Sequence, residues 1–438
     1  MSSIISSVST LDEIATCRVA PILDGLPLEV VTCGSWHPGP CIIAVSVNFG
    51  SARRIWKFRD AQDHEFPRGT AHYMEHLLMF ANRHTILGDL KSFVNGIVKE
   101  DSTILFAQCL LGSDKAAEQI SDVVSKLIRS LVTLDKSDDE IDIMIDDTRA
   151  DVINEIAYRH GLLDYRLRRS ILNCLYLKSD VRHDPLGDRA SLETIDAYNV
   201  RLAHQVICDN IVAITVFCRE IPDDIGIALE TQLRDLPNIA RPTESIKLNR
   251  SACDEPANIA QFSEGFQWSA MSGSVARVLT GIKLSPPCGI YKQDRLAHAI
   301  FISYVISSIL RSRVEVFLCR DAHVYMLRAT HPTPRFFWDD AHTVELATKL
   351  RGDIVQRCET YRSYFDIWTR SAFDKISEGP RSLFQLFLFA SGCGVPFCQM
   401  LSALENVNVQ SIELLLDELE CAAPHFAIAY ASPFFDEL

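Results

Sequence analysis

The chain of 438 residues has no apolar run long enough to cross a membrane, and its first 17 residues contain neither Arg nor Lys. A membrane-spanning helix needs about 18 or more consecutive apolar residues, and secretory or organellar leaders carry basic residues near the N-terminus. The sequence therefore predicts no membrane span, no signal peptide and no transit peptide. We expect a cytoplasmic protein that has no membrane partner.

The chain also has fewer basic than acidic side chains, 43 against 57, and a net charge of −14. This balance argues against a nucleic-acid partner. None of the fourteen cysteines forms a Cys-x-x-Cys pair, which disfavours a zinc finger or a thioredoxin-like motif. Reduced and mostly buried thiols of a cytosolic protein are the expected state. Hydrophobic residues at 47% and charged residues at 23% are ordinary for a globular protein.

The sequence does contain a compact group of metal-ligand residue types, His72, Glu75 and His76, in the order His-x-x-Glu-His. Residues four apart lie on the same face of a helix, so both imidazoles can reach one ion. Two neutral imidazoles can hold zinc, and the intervening carboxylate can accept a proton from water. This order is the inverted zinc-peptidase signature. The alternative is a pair of surface histidines beside a helical glutamate.

A catalytic zinc ion needs a third protein ligand, and Glu155 is the candidate. It lies between Ile153 and Ile156 in a segment with a helical pattern, and the next glycine is Gly161. Considered alone, Glu155 could equally be a solvated glutamate on a helix surface.

The order of predicted elements indicates an α+β protein with two related domains, each a mostly antiparallel sheet packed with helices. Short β-branched runs separated by turns predict antiparallel strands before the motif, and amphipathic helices follow it. Residues 1–220 form the predicted metal-binding domain. Residues 221–256, which are polar and contain four prolines, form a predicted linker. Residues 257–438 then repeat the order of elements without the motif, as a degenerate copy.

These residues together resemble the pitrilysin/insulinase family of zinc metallopeptidases, in particular its half-length members such as the mitochondrial processing peptidase subunits and their bacterial relatives. Separate stretches are similar to the family's first hairpin, the strand before the metal helix, an Asn-Ala segment with its following strand, a His-Pro-Leu-Gly turn and the strand closing the first domain. In this chain they are residues 24–31, 45–51, 95–96 with 101–103, 183–187 and 210–216.

The resemblance implies one zinc ion per chain, held by His72, His76 and Glu155, with Glu75 as the general base. Glu155 follows His76 by 79 residues, at the position of the family's third ligand. One departure concerns the position two helical turns before Glu155, where the family usually has an acidic residue. Here Thr148 occupies that position, with Asp147 beside it. Both are candidates to support the ligands, and the departure bears on turnover more than on metal binding.

The resemblance also suggests how a peptide would bind. The substrate would lie as an extra strand along the sheet edge that follows Asn95, which selects extended or unstructured peptides. Arg320 and Tyr325 resemble an Arg/Tyr pair that helps to bind substrate in the family. The spacing between them is shorter here, and Val324 stands where a glycine is typical. An ordinary helix end running into a strand explains the same segment.

The function that the resemblance implies is a zinc-dependent endopeptidase that works within a dimeric chamber. Both the processing of leader or modified peptides and the general degradation of short peptides are open as its task. A non-catalytic or weakly active partner subunit of a heterodimeric peptidase is the alternative. Half-length chains of this family pair to close a chamber, so we expect either a homodimer or a heterodimer with a related subunit. A structural α/β protein with an accidental motif is a third reading.

Overall fold

The protein was analysed as a computed structural model. It describes residues 6–8, 16–22, 26–32, 41–58, 63–84, 86–88, 92–111, 115–176, 180–220, 224–234, 260–263, 276–284, 314–319, 322–331, 356, 380–392, 396–405 and 425–431. The chain divides into two compact units. Unit 1 takes Met1–Ile156, Asp184–Asn249 and Phe373–Glu405, and unit 2 takes the remaining three segments.

Unit 1 contains a sheet of seven strands and a small hairpin. The seven strands are β1 (Ser6–Val8), β2 (Thr16–Ile22), β3 (Leu26–Thr32), β4 (Cys41–Val47), β7 (Phe93–Val98), β8 (Thr103–Cys109) and β9 (Ile211–Cys218), and the hairpin pairs β5 (Ile55–Lys57) with β6 (Asp63–Glu65). Their order across the sheet is β1-β2-β3-β9-β4-β8-β7. All neighbours are antiparallel except β3 and β9. Among the described strands, β7 is therefore an outermost one.

Nine α-helices lie within the described residues. They are α1 (Thr70–Asn82), α2 (Ala116–Val132), α3 (Asp138–Gly161), α4 (Leu163–Leu175), α5 (Arg189–Glu193), α6 (Ala197–Asp209), α7 (Ile225–Leu233), α8 (Pro380–Gly392) and α9 (Phe397–Glu405). In α2 the apolar stripe that predicts an amphipathic helix, Ile120, Val123, Val124 and Leu127, is completely or almost completely buried.

One face of the seven-stranded sheet, here called the α1 face, is covered by α1, α2, α6 and α7. Alternate residues of the central strands point to it, for example Ile43, Val45, Leu105 and Ala107. They join one large core with side chains from the four helices, such as Leu77 of α1. This packing holds α1 against the sheet.

The opposite face, here called the aromatic face, carries Phe106 of β8 and Phe217 of β9 under α8 and α9. Phe384 of α8 lies with its ring centroid 4.8 Å from that of Phe106 and 5.9 Å from that of Phe217. Phe387 and Phe397 each lie 5.5 Å from Phe217 by the same measure. Edge-to-face and tilted ring pairs of this kind form a well-packed core.

Unit 2 contains a second, five-stranded sheet. Its strands are β10 (Ala260–Ser263), β11 (Ala276–Leu284), β12 (Val314–Cys319), β13 (Ala322–His331) and β14 (His425–Ala431). Their order is β10-β14-β11-β13-β12, and only β10 and β14 are parallel. Helix α4 packs on the strands β14, β11 and β10.

The predicted α+β class with mostly antiparallel sheets is confirmed. Helix α7 lies within the segment 221–256 that was predicted as a linker, and it packs on α2. The domain boundaries at 220 and 257 stay predictions, because most of that segment is outside the described residues. No helix in the described part of the chain is long and apolar enough to cross a membrane.

Candidate metal centre

Helix α1 begins at a close contact between two glycines. Gly69 precedes the helix and has a φ of 83°, as does Gly187, a left-handed value that glycine adopts without steric cost. A Cβ at Gly69 would lie 2.6 Å from the Leu186 carbonyl oxygen and 2.8 Å from the Gly187 Cα. The turn at residues 183–187, one of the stretches that carries the family resemblance, therefore fixes the start of α1.

The two histidines of the motif meet one turn apart on α1. Their ring centroids are 4.6 Å apart with an interplanar angle of 74°. The side chain of His72 is 7% exposed and that of His76 is 28% exposed. One ligand atom from each of His72, Glu75 and His76 lies within 4.8 Å of the other two. The geometry expected from the His-x-x-Glu-His spacing is present.

Glu155 of α3 joins this group. Its Oε2 atom lies 3.5 Å from Nε2 of His72 and 3.2 Å from Nε2 of His76. Ligands that bind zinc at about 2.0–2.1 Å in a tetrahedron are roughly 3.3 Å from one another. Oε2 of Glu155 therefore already lies at about the tetrahedral ligand separation from each imidazole nitrogen, and the residue types are those that zinc prefers.

A buried hydrogen bond connects the two helices that carry the ligands. The Tyr73 hydroxyl donates to the Ile145 carbonyl oxygen of α3, and the Tyr73 side chain is fully buried. Burial raises the pKa of Tyr73 above its ordinary value. The phenol therefore stays protonated and continues to donate. Tyr73 was not singled out from the sequence, where it is only an aromatic residue between the ligand histidines.

The two carboxylates of the site have opposite electrostatic environments. Burial raises the pKa of Glu75, although the nearby charges of His76 and His72 act against that shift. Hydrogen bonds from His72 and His76 lower the pKa of Glu155. Burial lowers the pKa of His76, but its hydrogen bond to Glu155 and the charge of Glu75 outweigh this effect, so the net shift is upward. Glu155 suits a ligand that stays ionised, and Glu75 suits a group that exchanges a proton.

Gly96 of the edge strand β7 determines how closely Glu75 can approach the sheet. A Cβ at Gly96 would overlap Oε1 and Cγ of Glu75, so the carboxyl group lies directly on the backbone of the strand. The Gly96 amide donates a hydrogen bond of 2.9 Å to Oδ1 of Asn95. The contact with Glu75 was not predicted. A glycine inside a predicted strand is the signal that could have indicated it, because such a glycine often marks close approach of another group.

The positions that depart from the family pattern differ in burial. The Asp147 side chain is exposed, whereas Thr148 is only 3% exposed. Within the described residues, Thr148 Oγ1 and His72 Nδ1 are both buried without a hydrogen-bond partner. Buried polar atoms are usually paired, and a ligand histidine usually donates from its second ring nitrogen. The supporting roles of Asp147 and Thr148 stay predictions.

The structure describes two of the three predicted substrate-binding residues. Asn95 lies on β7, is exposed, and contacts the Gly96 amide. Tyr325 lies on β13, with Ile282 of β11 and Val316 of β12 as its backbone neighbours. Arg320 lies outside the described residues. The Arg/Tyr hypothesis therefore stays a prediction.

Comparison with known proteins gives structural likeness without sequence-level matches. No protein-family model and no curated protein matches the chain. A putative M16-like peptidase from Alicyclobacillus acidocaldarius superposes with a TM-score of 0.69 at 14% identity, covering 95% of this chain and 98% of that one. A protease from Helicobacter pylori gives 0.65 at 13% identity, covering 96% and 100%. A peptidase M16 inactive domain from Pseudomonas fluorescens gives 0.62 at 11% identity, covering 95% and 98%.

At these identities the likeness is one of fold, and it extends over nearly the whole of each chain. It includes a domain described as inactive, so the fold is compatible with more than one function. Besides this fold, the chain has the His-x-x-Glu-His group. The resemblance predicted from the sequence is confirmed, because the chain has the fold of the half-length M16-like peptidases, the pitrilysin type.

Proposed function

We propose that this protein is a zinc-dependent endopeptidase that cleaves extended or unstructured peptides. One observation carries the proposal. Oε2 of Glu155 lies 3.5 Å from Nε2 of His72 and 3.2 Å from Nε2 of His76, and both distances are close to the ligand separation in a tetrahedral zinc site. The fold is that of peptidases, and Glu75 lies beside the three ligands.

Each residue has a defined role in this proposal. His72, His76 and Glu155 hold one zinc ion per chain, which supplies a Lewis acid and activates water. Glu75 accepts the proton of the attacking water and returns it to the leaving amine. Its buried position against Gly96 raises the pKa of the carboxyl group, which makes it a better proton acceptor than an exposed glutamate. Tyr73 keeps α1 and α3 at the distance that the ligands need.

The substrate is proposed to pair with β7. This strand is the outermost one described next to β8, and unpaired edges accept an extended peptide as a further strand. Gly96 faces Glu75, so a peptide on this edge passes the base. The Asn95 side chain already satisfies the Gly96 amide, and a peptide carbonyl can replace it. We propose a dimeric chamber, of two identical or two related chains, and cytoplasmic processing of leader or modified peptides.

A non-catalytic partner subunit is the second candidate. The likeness to an M16 inactive domain and the replacement of the usual acidic residue by Thr148 favour it. The intact ligand set and the buried Glu75 favour the peptidase, because a subunit without chemistry needs neither. The two candidates differ in one measurable property, which is cleavage by the zinc-loaded protein.

The test compares wild type with Glu155→Ala, Glu75→Gln and, as a matched control on the exposed side of α3, Asn154→Ala. We expect about one zinc per chain in wild type, Glu75→Gln and Asn154→Ala, and much less in Glu155→Ala. Cleavage of unstructured peptides should fall about 10²–10⁴-fold in Glu75→Gln. Zinc binding without cleavage would leave the partner subunit as the function. Absence of zinc from the wild type after zinc addition would contradict the metal site.

A further inference from the structure

Phe93 begins the edge strand β7 and is 61% exposed. A large aromatic side chain on an unpaired edge strand promotes association with other chains, and proteins usually avoid one there. Its presence on the strand whose Gly96 contacts Glu75 points to a specific occupant.

The alternation of β7 places Phe93 on the opposite face from the metal centre. Gly96 faces Glu75 on the α1 face. Phe93 is three residues earlier, so its side chain points to the aromatic face. The Phe93 ring centroid is 6.4 Å from that of Phe106, which in turn contacts Phe384 of α8. One side of the Phe93 ring thus rests on the aromatic core, and none of the described residues covers most of the remaining surface, since Phe93 is 61% exposed.

A peptide paired with β7 would meet both residues at once. The peptide residue opposite Gly96 would point towards Glu75 and flank the bond to be cut. The residue opposite Phe93 would be three positions away, about 10 Å along the strand, and would share the face of Phe93. Directly opposed side chains of neighbouring strands are in contact, and aromatic pairs are among the favourable combinations.

We propose that Phe93 determines substrate specificity by pairing with an aromatic or large aliphatic residue of the peptide. That residue is the third or fourth from the cut bond, on one side of it. The inference rests on the proposed peptidase function and adds the class of peptide that the site selects. Phe93 acts on binding only, since it is on the other face of the strand from Glu75.

The experiment uses unstructured peptides with one fixed cleavage site, in which Phe, Leu, Ala or Asp is placed in turn at each of five positions on either side. We expect wild type to show a maximum of kcat/KM for Phe or Leu at a single third or fourth position, roughly five- to tenfold above Ala. Phe93→Ala should remove this preference, and Phe93→Tyr should keep it. Ile227→Ala, which removes another exposed apolar side chain on α7, serves as the control.

Binding separates this inference from the proposed function. The zinc-loaded Glu75→Gln protein, with and without Phe93→Ala, is titrated with the same labelled peptides and followed by fluorescence anisotropy. Selective binding of the Phe peptide that disappears with Phe93→Ala supports the inference even if no cleavage is ever seen. Equal preference with and without Phe93, or no preference, overturns it even if the protein is an active peptidase. A change of oligomeric state in Phe93→Ala with unchanged selectivity also overturns it, since the edge would then be an interface between copies.

Discussion

The two faces of the seven-stranded sheet have different roles, although the same strands contribute side chains to both. On the α1 face, ionisable side chains of α1 and α3 meet within hydrogen-bonding distance. On the aromatic face, rings from β8, β9, α8 and α9 pack with centroids 4.8–5.9 Å apart. The strands β4, β8 and β9 contribute alternate residues to both. One face carries the candidate chemistry. The other supplies packing and, at its edge, the proposed contact of Phe93 with the substrate.

The buried carboxylates make the contrast clear. Glu29, on the aromatic face, is 2% exposed and accepts hydrogen bonds from the Thr215 hydroxyl at 3.1 Å and the Cys398 amide at 3.4 Å. The Cys398 amide lies at the start of α9, where a carboxylate is favourable, so Glu29 ties this helix to the sheet. Glu75 on the α1 face lies against a glycine and beside imidazoles instead. Burial with structural partners indicates stability, whereas burial beside other ionisable groups indicates function.

The largest effect that separates the faces is expected from Phe217→Ala. Phe217 is fully buried among three rings, so its removal should lower the free energy of unfolding by about 3–5 kcal/mol. The folded variant should keep zinc and cleavage, because its contacts are on the aromatic face. Urea unfolding and metal content are the measurements, with the half-exposed Phe80→Ala as control. A folded Phe217→Ala protein that loses zinc would show that the faces are not independent.

Gly96→Val tests the α1 face with little cost to the fold. Valine suits a strand, but its side chain would occupy the space of the Glu75 carboxyl group. We expect zinc to remain, because Glu75 is not a ligand, and cleavage to fall roughly a hundred- to thousandfold as the base is displaced. Val98→Ile, on the same face of β7, is the matched control. Unchanged cleavage in Gly96→Val would remove the close Glu75–Gly96 contact from the proposed mechanism.

Local spacing was sufficient to predict what lies within one element. The His-x-x-Glu-His order places His72 and His76 together wherever the helix goes, and the apolar stripe of α2 predicts its buried side. Glu155 required the family resemblance, because no local pattern joins residues 79 apart. The structure now brings Glu155 to both imidazoles, as that resemblance implied.

Apart from Glu155, contacts between distant segments could not be predicted from the sequence. The approach of Gly96 to Glu75 depends on how β7 pairs with β8 and how α1 packs on both, and neither is encoded in a short pattern. Prolines and polar residues made the segment after residue 220 look like a linker, yet Ile225, Leu229 and Leu233 of α7 are buried against the core. The helical spacing of these three apolar residues predicts a helix, but the polar composition of the whole segment favoured the linker prediction. The proposed role of Phe93 likewise depends on its position in the edge strand, which the sequence alone does not show.

The smallest expected effect is on the pH dependence of stability, through a buried histidine of the α1 face. His204 of α6, on the α1 face, has a pKa lowered to about 4 by burial, against an opposing backbone hydrogen bond at Leu131, with Arg201 lowering it further. In the unfolded chain the pKa of a histidine is about 6.5. Between about pH 6.5 and pH 4 the unfolded chain therefore binds a proton at His204 that the folded protein does not bind. Stability contributed by neutral His204 is therefore complete above pH 6.5 and is lost as pH falls.

From pH 7 to pH 5 this should lower the free energy of unfolding by about 2 kcal/mol more in wild type than in His204→Gln. Metal-free protein is used in both cases, so that the ligand histidines contribute equally and cancel in the difference. His84→Gln, which replaces an exposed histidine, is measured in parallel as the control. If His204→Gln keeps the wild-type slope, His204 is not held neutral by burial. The acid sensitivity of the α1 face would then have to come from the ionisable groups of the candidate metal centre.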